Sequence, residues 1–213
     1  IDNGRSWELA SVGLTSNSIL SIAKDNKNNI YVGTEGEGVF YSSDIGISWN
    51  SINDGIGRKE IVSIAVDQNN DVFATALIGG VFVLKNDETS WTDITNDLTS
   101  PFIEDITIAE NGTLYIATYL GGVFQYENEN WHVMNSGLSD RIVQTIAVND
   151  ENEIFVGGIW GGVSRYSDSN SWQSSNQDLI ASTSTVLLSR GNEIYCGIEG
   201  GGIYRSENEG ESW

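Results

Sequence analysis

Six tryptophans divide this chain at nearly equal intervals. Trp7, Trp49, Trp91, Trp131, Trp172 and Trp213 are separated by 42, 42, 40, 41 and 41 residues. A fixed period of this length marks a repeat architecture, in which each copy is one supersecondary unit that buries its apolar face only against a neighbour. Five copies follow one plan. An apolar segment such as Ile61–Val66 comes first and suits a strand packed on both faces. A polar cluster follows, reading DNKNN, DQNND, AENG, NDENE or SRGN, the residue types that tolerate tight turns. A second β-rich segment leads to a glycine-rich reversal (Gly79-Gly80, Gly121-Gly122, Gly161-Gly162, Gly201-Gly202) and a third strand. The fourth segment starts at the tryptophan and runs into a polar loop.

Four short strands per period predict one blade of a β-propeller. No window sustains a helical 3.6-residue periodicity, a leucine-rich repeat needs a shorter period, and the Gly-His and Trp-Asp signatures of WD40 blades do not occur. The expected fold is all-β, a propeller of five four-stranded blades of about 41 residues, forming a single domain over residues 1–213. The N-terminal segment is expected to supply the outer strand of the last blade; the alternative is a five-blade part of a larger propeller. The recurring tryptophan is read as packing, since such a ring buries roughly 150–250 Å² and cements one sheet to the next.

The formal charge of −20 argues against nucleic acid and anionic membrane surfaces, both polyanions. No apolar run approaches the ~20 residues of a membrane helix, so membrane insertion is not expected. Cys196, the single cysteine, lies in the apolar run EIYCG and reads as a buried small hydrophobe. The opening IDNGRSW carries no basic-then-apolar signal and starts within a repeat motif, so attachment to further domains is expected.

Ser42-Ser43-Asp44-Ile45-Gly46-Ile47-Ser48-Trp49 resembles an Asp-box, the S-x-D-x-G-x-[ST]-W motif of bacterial neuraminidase repeats. Ser206 to Trp213 is similar, with Asn208 in place of the aspartate, while the three middle copies depart from the motif. The remainder of each copy resembles the propeller repeats of bacterial two-component regulators. These resemblances imply a β-propeller, an extracytoplasmic bacterial location and, for the box itself, a structural hairpin remote from any ligand. The residues agree with that last point, because an aspartate bonding its own backbone two residues on, followed by glycine, is a self-sufficient turn.

Some Asp-box propellers are glycosidases, a chemistry that calls for an arginine cluster or a pair of positioned carboxylates. The Arg-Ile-Pro signature of sialidases is missing, Pro101 sits in Ser-Pro-Phe, and the six arginines do not share one repeat phase. Asp105 lies on an inner strand where other copies carry Ser21, Ser63, Thr145 and Thr185. It reads first as lining a wet central channel and second as a catalytic acid. His132 is the only histidine, no calcium-loop ladder or phosphate loop occurs, and no cofactor or metal is expected. The informative variation lies at the tip of the hairpin joining the second and third strands. The outer copies carry Glu35-Gly36 and Glu199-Gly200, whereas the middle ones carry Leu77-Ile78, Tyr119-Leu120 and Ile159-Trp160. Six large apolar residues on one arc form a candidate interaction patch, with Tyr119 and Trp160 the best anchors; the competing reading folds them down over the blades. The function expected is a non-catalytic binding or sensor module taking a glycan or protein ligand, with a glycoside hydrolase or an architectural propeller as the alternatives.

Overall fold

A computed structural model describes residues 4–167, 170–180 and 183–213. Strands β1 (Ile19–Lys24), β2 (Ile30–Thr34), β3 (Gly38–Ser42) and β4 (Asn50–Ser51) form the first sheet. The second holds β5 (Ile61–Val66), β6 (Val72–Ala76), β7 (Val81–Leu84) and β8 (Thr92–Asp93). The third holds β9 (Ile103–Ile108), β10 (Leu114–Thr118), β11 (Gly122–Glu127) and β12 (Asn130–Val133). The fourth holds β13 (Val143–Val148), β14 (Ile154–Gly158), β15 (Gly162–Ser167) and β16 (Ser171–Ser174). The fifth holds β17 (Ser184–Arg190), β18 (Glu193–Ile198) and β19 (Gly202–Ser206). Every sheet is an antiparallel meander, and the inner strands β1, β5, β9, β13 and β17 pack in succession about a common axis. The chain is an all-β, five-blade β-propeller.

The turn chemistry anticipated in the sequence is present. Asn28, Asn70, Asn152, Gly112 and Gly191 each carry a positive φ in the first hairpin of their blade. Asp25, Asp67 and Asn149 close those hairpins by accepting the backbone N–H groups two and four residues on. A bulge recurs in every inner strand at the rung of Ser21, Ser63, Asp105, Thr145 or Val186.

Apolar cores lie between blades. Tyr31 and Val39 of the first meet Ile61, Ile64 and Val72 of the second, and the same rungs repeat at the next three junctions. The two end sheets each leave a face uncovered. Ile22 is 69% exposed, although its register equivalents Ile64, Ile106, Ile146 and Leu187 are 4–7% exposed. Ile203 is 82% exposed where Val39, Val81, Val123 and Val163 are fully buried. Among the described residues the last sheet has three strands, and the expected completion of that blade by the N-terminal segment falls partly on residues 1–3, outside the described residues. The N-terminal segment is tied to the first blade: Val12 accepts from the Trp49 backbone N–H and Ala10 from its indole. Trp7 is 91% exposed.

Five of the six periodic tryptophans are inter-blade fasteners; Trp7, expected to pack in the same way, is exposed instead. The indole N–H of Trp49, Trp91, Trp131 and Trp213 donates at 2.6–3.0 Å to the carbonyl of Ala10, Ile52, Ile94 and Ser175, in the loop that enters the tryptophan's own blade from the one before. Trp172 does the same to Met134. Packing area and one directed hydrogen bond thus coincide, and this is why tryptophan rather than phenylalanine recurs. Cys196 is fully buried, and burial raises its thiol pKa, as suits a packing residue.

The Ser42–Trp49 turn closes on Asp44, which accepts from the Ser48 hydroxyl (2.6 Å), the Ser48 N–H (2.9 Å) and the Ser42 hydroxyl (2.8 Å). Those bonds, led by the Ser48 hydroxyl, hold its pKa down at about 2. Asn208 repeats the arrangement, with its Nδ2 donating to the Ser212 hydroxyl at 3.0 Å. Because the folded-state value lies below the unfolded one, the stabilisation by Asp44 is complete above roughly pH 4 and is lost as pH falls toward about 2. Asn208 closes the equivalent turn with a neutral amide, so Asp44→Asn is expected to lower the melting temperature at neutral pH only slightly, by about 2 °C or less. Its stability should also fall less on acidification, which paired melts across that range would measure.

Candidate functional site

The hairpins joining second and third strands gather at one end of the propeller, each laid against the loop that enters the following blade. Gly79 donates to the Pro101 carbonyl (2.5 Å) and Gly122 to that of Arg141 (3.0 Å). Leu77, Tyr119 and Ile159 are also tied back to the residue preceding their own inner strand, through Leu77 N–H to Glu60, Tyr119 N–H to Phe102 and Ile159 N–H to Ile142. Backbone bonds on both sides fix the tips of the second and third blades, so their side chains project from a rigid frame.

Four of the six tip residues singled out in the sequence are exposed: Ile78, Tyr119, Leu120 and Trp160. Leu77 and Ile159 are half-buried. The patch also includes residues the sequence reading passed over. Phe102, from the Ser-Pro-Phe loop entering the third blade, is 40% exposed and meets Tyr119 edge-on, ring centroids 6.5 Å apart at 87°. Phe102, Tyr119, Leu120, Val133, Asn135 and Arg141 line a depression of about 380 Å³. The available signal was the Pro-Phe pair at the repeat phase where the neighbouring copies carry Lys59-Glu60 and Arg141-Ile142.

Leu120 is the distinctive member. It is 60% exposed and has φ +70°, in the slot filled by Gly36 and Gly200 in the outer copies. For a non-glycine residue that backbone costs of order 1 kcal/mol, and exposure returns no burial to offset it.

Asp105 lies elsewhere, on the axis. Its Oδ1 accepts from the Ser63 hydroxyl (2.8 Å) and its own strand's Ile106 N–H (2.9 Å). Its Oδ2 accepts from the Thr145 hydroxyl (3.1 Å) and the Ile146 N–H (3.0 Å). One carboxylate therefore ties the second, third and fourth blades, and the Thr145 hydroxyl in turn accepts from Leu187 N–H of the fifth. Burial pushes the Asp105 pKa up, while the four donors pull against it. Glu104, beside it at the bulge, is raised by burial and by the charge of Asp105. Two raised carboxylates side by side are the kind of pair acid catalysis uses, yet both oxygens of Asp105 are committed to structural donors.

Among the described residues, Glu151, Glu153 and Glu209 bring carboxylate oxygens within 4.8 Å of one another. Arg165 lies among them, paired with Glu153 and Glu209, and occupies the place a cation would take. His132 is exposed in β12.

Residues 13–36 match the family profile described as two component regulator propeller. No curated protein matches the chain. Solved structures share the fold. A domain described as the extracellular part of a hybrid two component system of B. thetaiotaomicron aligns at 14% identity with TM-score 0.74, over 91% of this chain and 27% of that one. YCF48 bound to D1 peptide aligns at 16% and 0.75, over all of this chain and 72% of that one. An ancestral GH74 enzyme aligns at 22% and 0.74, over 95% and 32%. The chain thus spans about a quarter of the first of these proteins, and its structural relatives include both sensor domains and enzymes.

Proposed function

We propose that this propeller is a non-catalytic, extracytoplasmic recognition module that takes an apolar segment of a protein ligand at the hairpin end bearing Tyr119, Leu120 and Trp160. The carrying observation is Leu120, an exposed leucine held in a positive-φ backbone conformation that the outer copies fill with Gly36 and Gly200. Strain without burial is retained where a side chain has work outside its own fold. The aliphatic neighbours Ile78 and Val133 favour a protein ligand, since such groups offer nothing to a hydroxyl-rich surface. Extracytoplasmic location is supported by the extracellular domains among the structural relatives. A ligand-binding rather than catalytic role is supported by the saturated hydrogen bonding of Asp105. A glycan is the second reading, favoured by the exposed rings of Tyr119 and Trp160.

Leu120→Gly separates binding from folding. It is expected to leave stability unchanged or raise it by up to about 1 kcal/mol while weakening ligand binding. Selection from a displayed random-peptide library, with an oligosaccharide array probed in parallel, checks this. Peptides rich in apolar or aromatic residues, lost with Leu120→Gly and Tyr119→Ala, support the proposal. Array binding lost with Trp160→Ala supports the glycan reading, and ligands that survive all three substitutions overturn the assignment of this end.

A further inference from the structure

The depression on the third blade has a hydrocarbon wall and a single charge. Phe102, Tyr119, Leu120 and Val133 supply the wall, and Arg141 is the one charged residue among those that line it. The Asn135 amide is already committed: its Oδ1 accepts the Val123 N–H at 2.9 Å and its Nδ2 donates to the Gly121 carbonyl at 2.7 Å. We infer that the protein segment bound at this end carries one acidic side chain among its apolar residues, held by the Arg141 guanidinium between the tips of the third and fourth blades. This rests on the assignment of the hairpin end as the binding face.

The backbone sets Arg141 between those two tips. Its carbonyl accepts the Gly122 N–H of the third blade's hairpin at 3.0 Å. The carbonyl of the next residue, Ile142, accepts the Ile159 N–H of the fourth blade's hairpin at 3.4 Å. Exposed Tyr119 and Leu120 belong to the first of these tips and exposed Trp160 to the second. An extended segment that covers both tips passes Arg141 on the way, with apolar side chains before and after. The acid therefore lies inside the segment, because a chain terminus bound at Arg141 would leave one tip uncovered.

The charge of Arg141 is unopposed. Among the described residues, the cations paired to carboxylates are Lys85, Arg165 and Arg205, and exposed Arg141 is not one of them. The carboxylates of the entering loops lie outside the depression. Asp140 lines a separate cleft with Leu138, Gly158 and Gly161, and its Oδ1 accepts the Ile142 N–H at 3.0 Å. Glu60 belongs to the loop entering the second blade and does not line the depression either.

The repeat shows the same contrast. The hairpins of the first three blades donate to Lys59, Pro101 and Arg141 in turn. Lys59 adjoins a tip bearing Glu35 and Glu37, so only Arg141 sets a cation beside an apolar tip. A guanidinium fork grips one carboxylate through two parallel N–H bonds, and beside hydrocarbon such a pair is screened less than on open surface. In a chain of 30 acidic and 10 basic residues a run of acids is repelled, whereas one acid placed at Arg141 is matched.

The test starts from peptides selected on the intact chain out of a displayed random library. Wild type is expected to enrich peptides with one Asp or Glu between apolar positions, and Arg141→Glu to enrich Lys or Arg there instead. The most enriched acidic peptide is then synthesised, together with the version carrying the amide in place of the acid. The amide version is expected to bind wild type about tenfold more weakly, as loss of one charge-assisted contact would give. Arg141→Gln should weaken the acidic peptide equally and the amide peptide no further, at an unchanged melting temperature. Arg190→Gln, which removes the same charge from the first hairpin of the fifth blade, should alter neither affinity. Apolar peptides without an acid, or an acidic peptide bound equally by Arg141→Gln, would overturn this inference; their loss with Leu120→Gly would still leave the binding face standing. Peptides indifferent to Leu120→Gly, Tyr119→Ala and Trp160→Ala alike, or no enrichment at all, would overturn both.

Discussion

Trp91→Ala is expected to lower the unfolding free energy by about 3–5 kcal/mol, the usual range for deleting a fully packed aromatic side chain. The ring is 4% exposed within the core joining the first two blades. Its backbone N–H and indole N–H both bond the entering loop, at Asp54 (2.8 Å) and Ile52 (2.6 Å). Trp91→Phe separates the two contributions. It keeps most of the packing, strands the Ile52 carbonyl, and is expected to cost about 1–3 kcal/mol. Trp7→Ala is the control, expected within about 0.5 kcal/mol of wild type because its ring is 91% exposed. Urea unfolding followed by circular dichroism would rank the three. A Trp91→Ala protein as stable as Trp7→Ala would show that the recurring tryptophan does not fasten the blades.

Asp105→Ala carries the second large effect, expected at about 3 kcal/mol or more, since it strands several donors near the axis at once. Ser63, Ile106, Thr145 and Ile146 all lose their acceptor. Those groups belong to three blades, so the unfolding transition should also broaden and its denaturant slope fall as neighbouring blades uncouple. Asp105→Asn is intermediate, because an amide presents one acceptor oxygen and sets an N–H₂ group against donors. A catalytic Asp105 would behave differently: the asparagine variant would lose turnover of a substrate while keeping wild-type stability and slope.

Much of the fold was legible because its determinants are local. The positive-φ Asn and Gly residues of the hairpins, the glycine reversals and the two serine-rich turns closing on Asp44 and Asn208 act within a few residues of themselves. Strand alternation likewise shows in sequence, since Val39, Val81, Val123 and Val163 repeat one phase and all are buried. The candidate site was legible in part. Its hairpin tips differ visibly between copies, but Phe102 joins it from the loop entering the same blade and Arg141 from the loop entering the following one, meetings that no linear pattern displays. Asp105 was noticed as the odd residue at its phase, yet its partners lie about one repeat away on either side.

The sequence by itself determined the unit: a four-segment repeat, its turns, its buried rungs and the tryptophan that closes it. Those properties follow from backbone sterics and side-chain periodicity, which act at short range. Only the tertiary structure decided how units meet. It set which carbonyl each indole finds and which polar groups Asp105 joins. It also decided that the end sheets leave Ile22 and Ile203 uncovered where their repeat equivalents are buried. Burial is a property of a pair of surfaces, so identical residues in successive copies become core or surface according to the neighbour that packs against them.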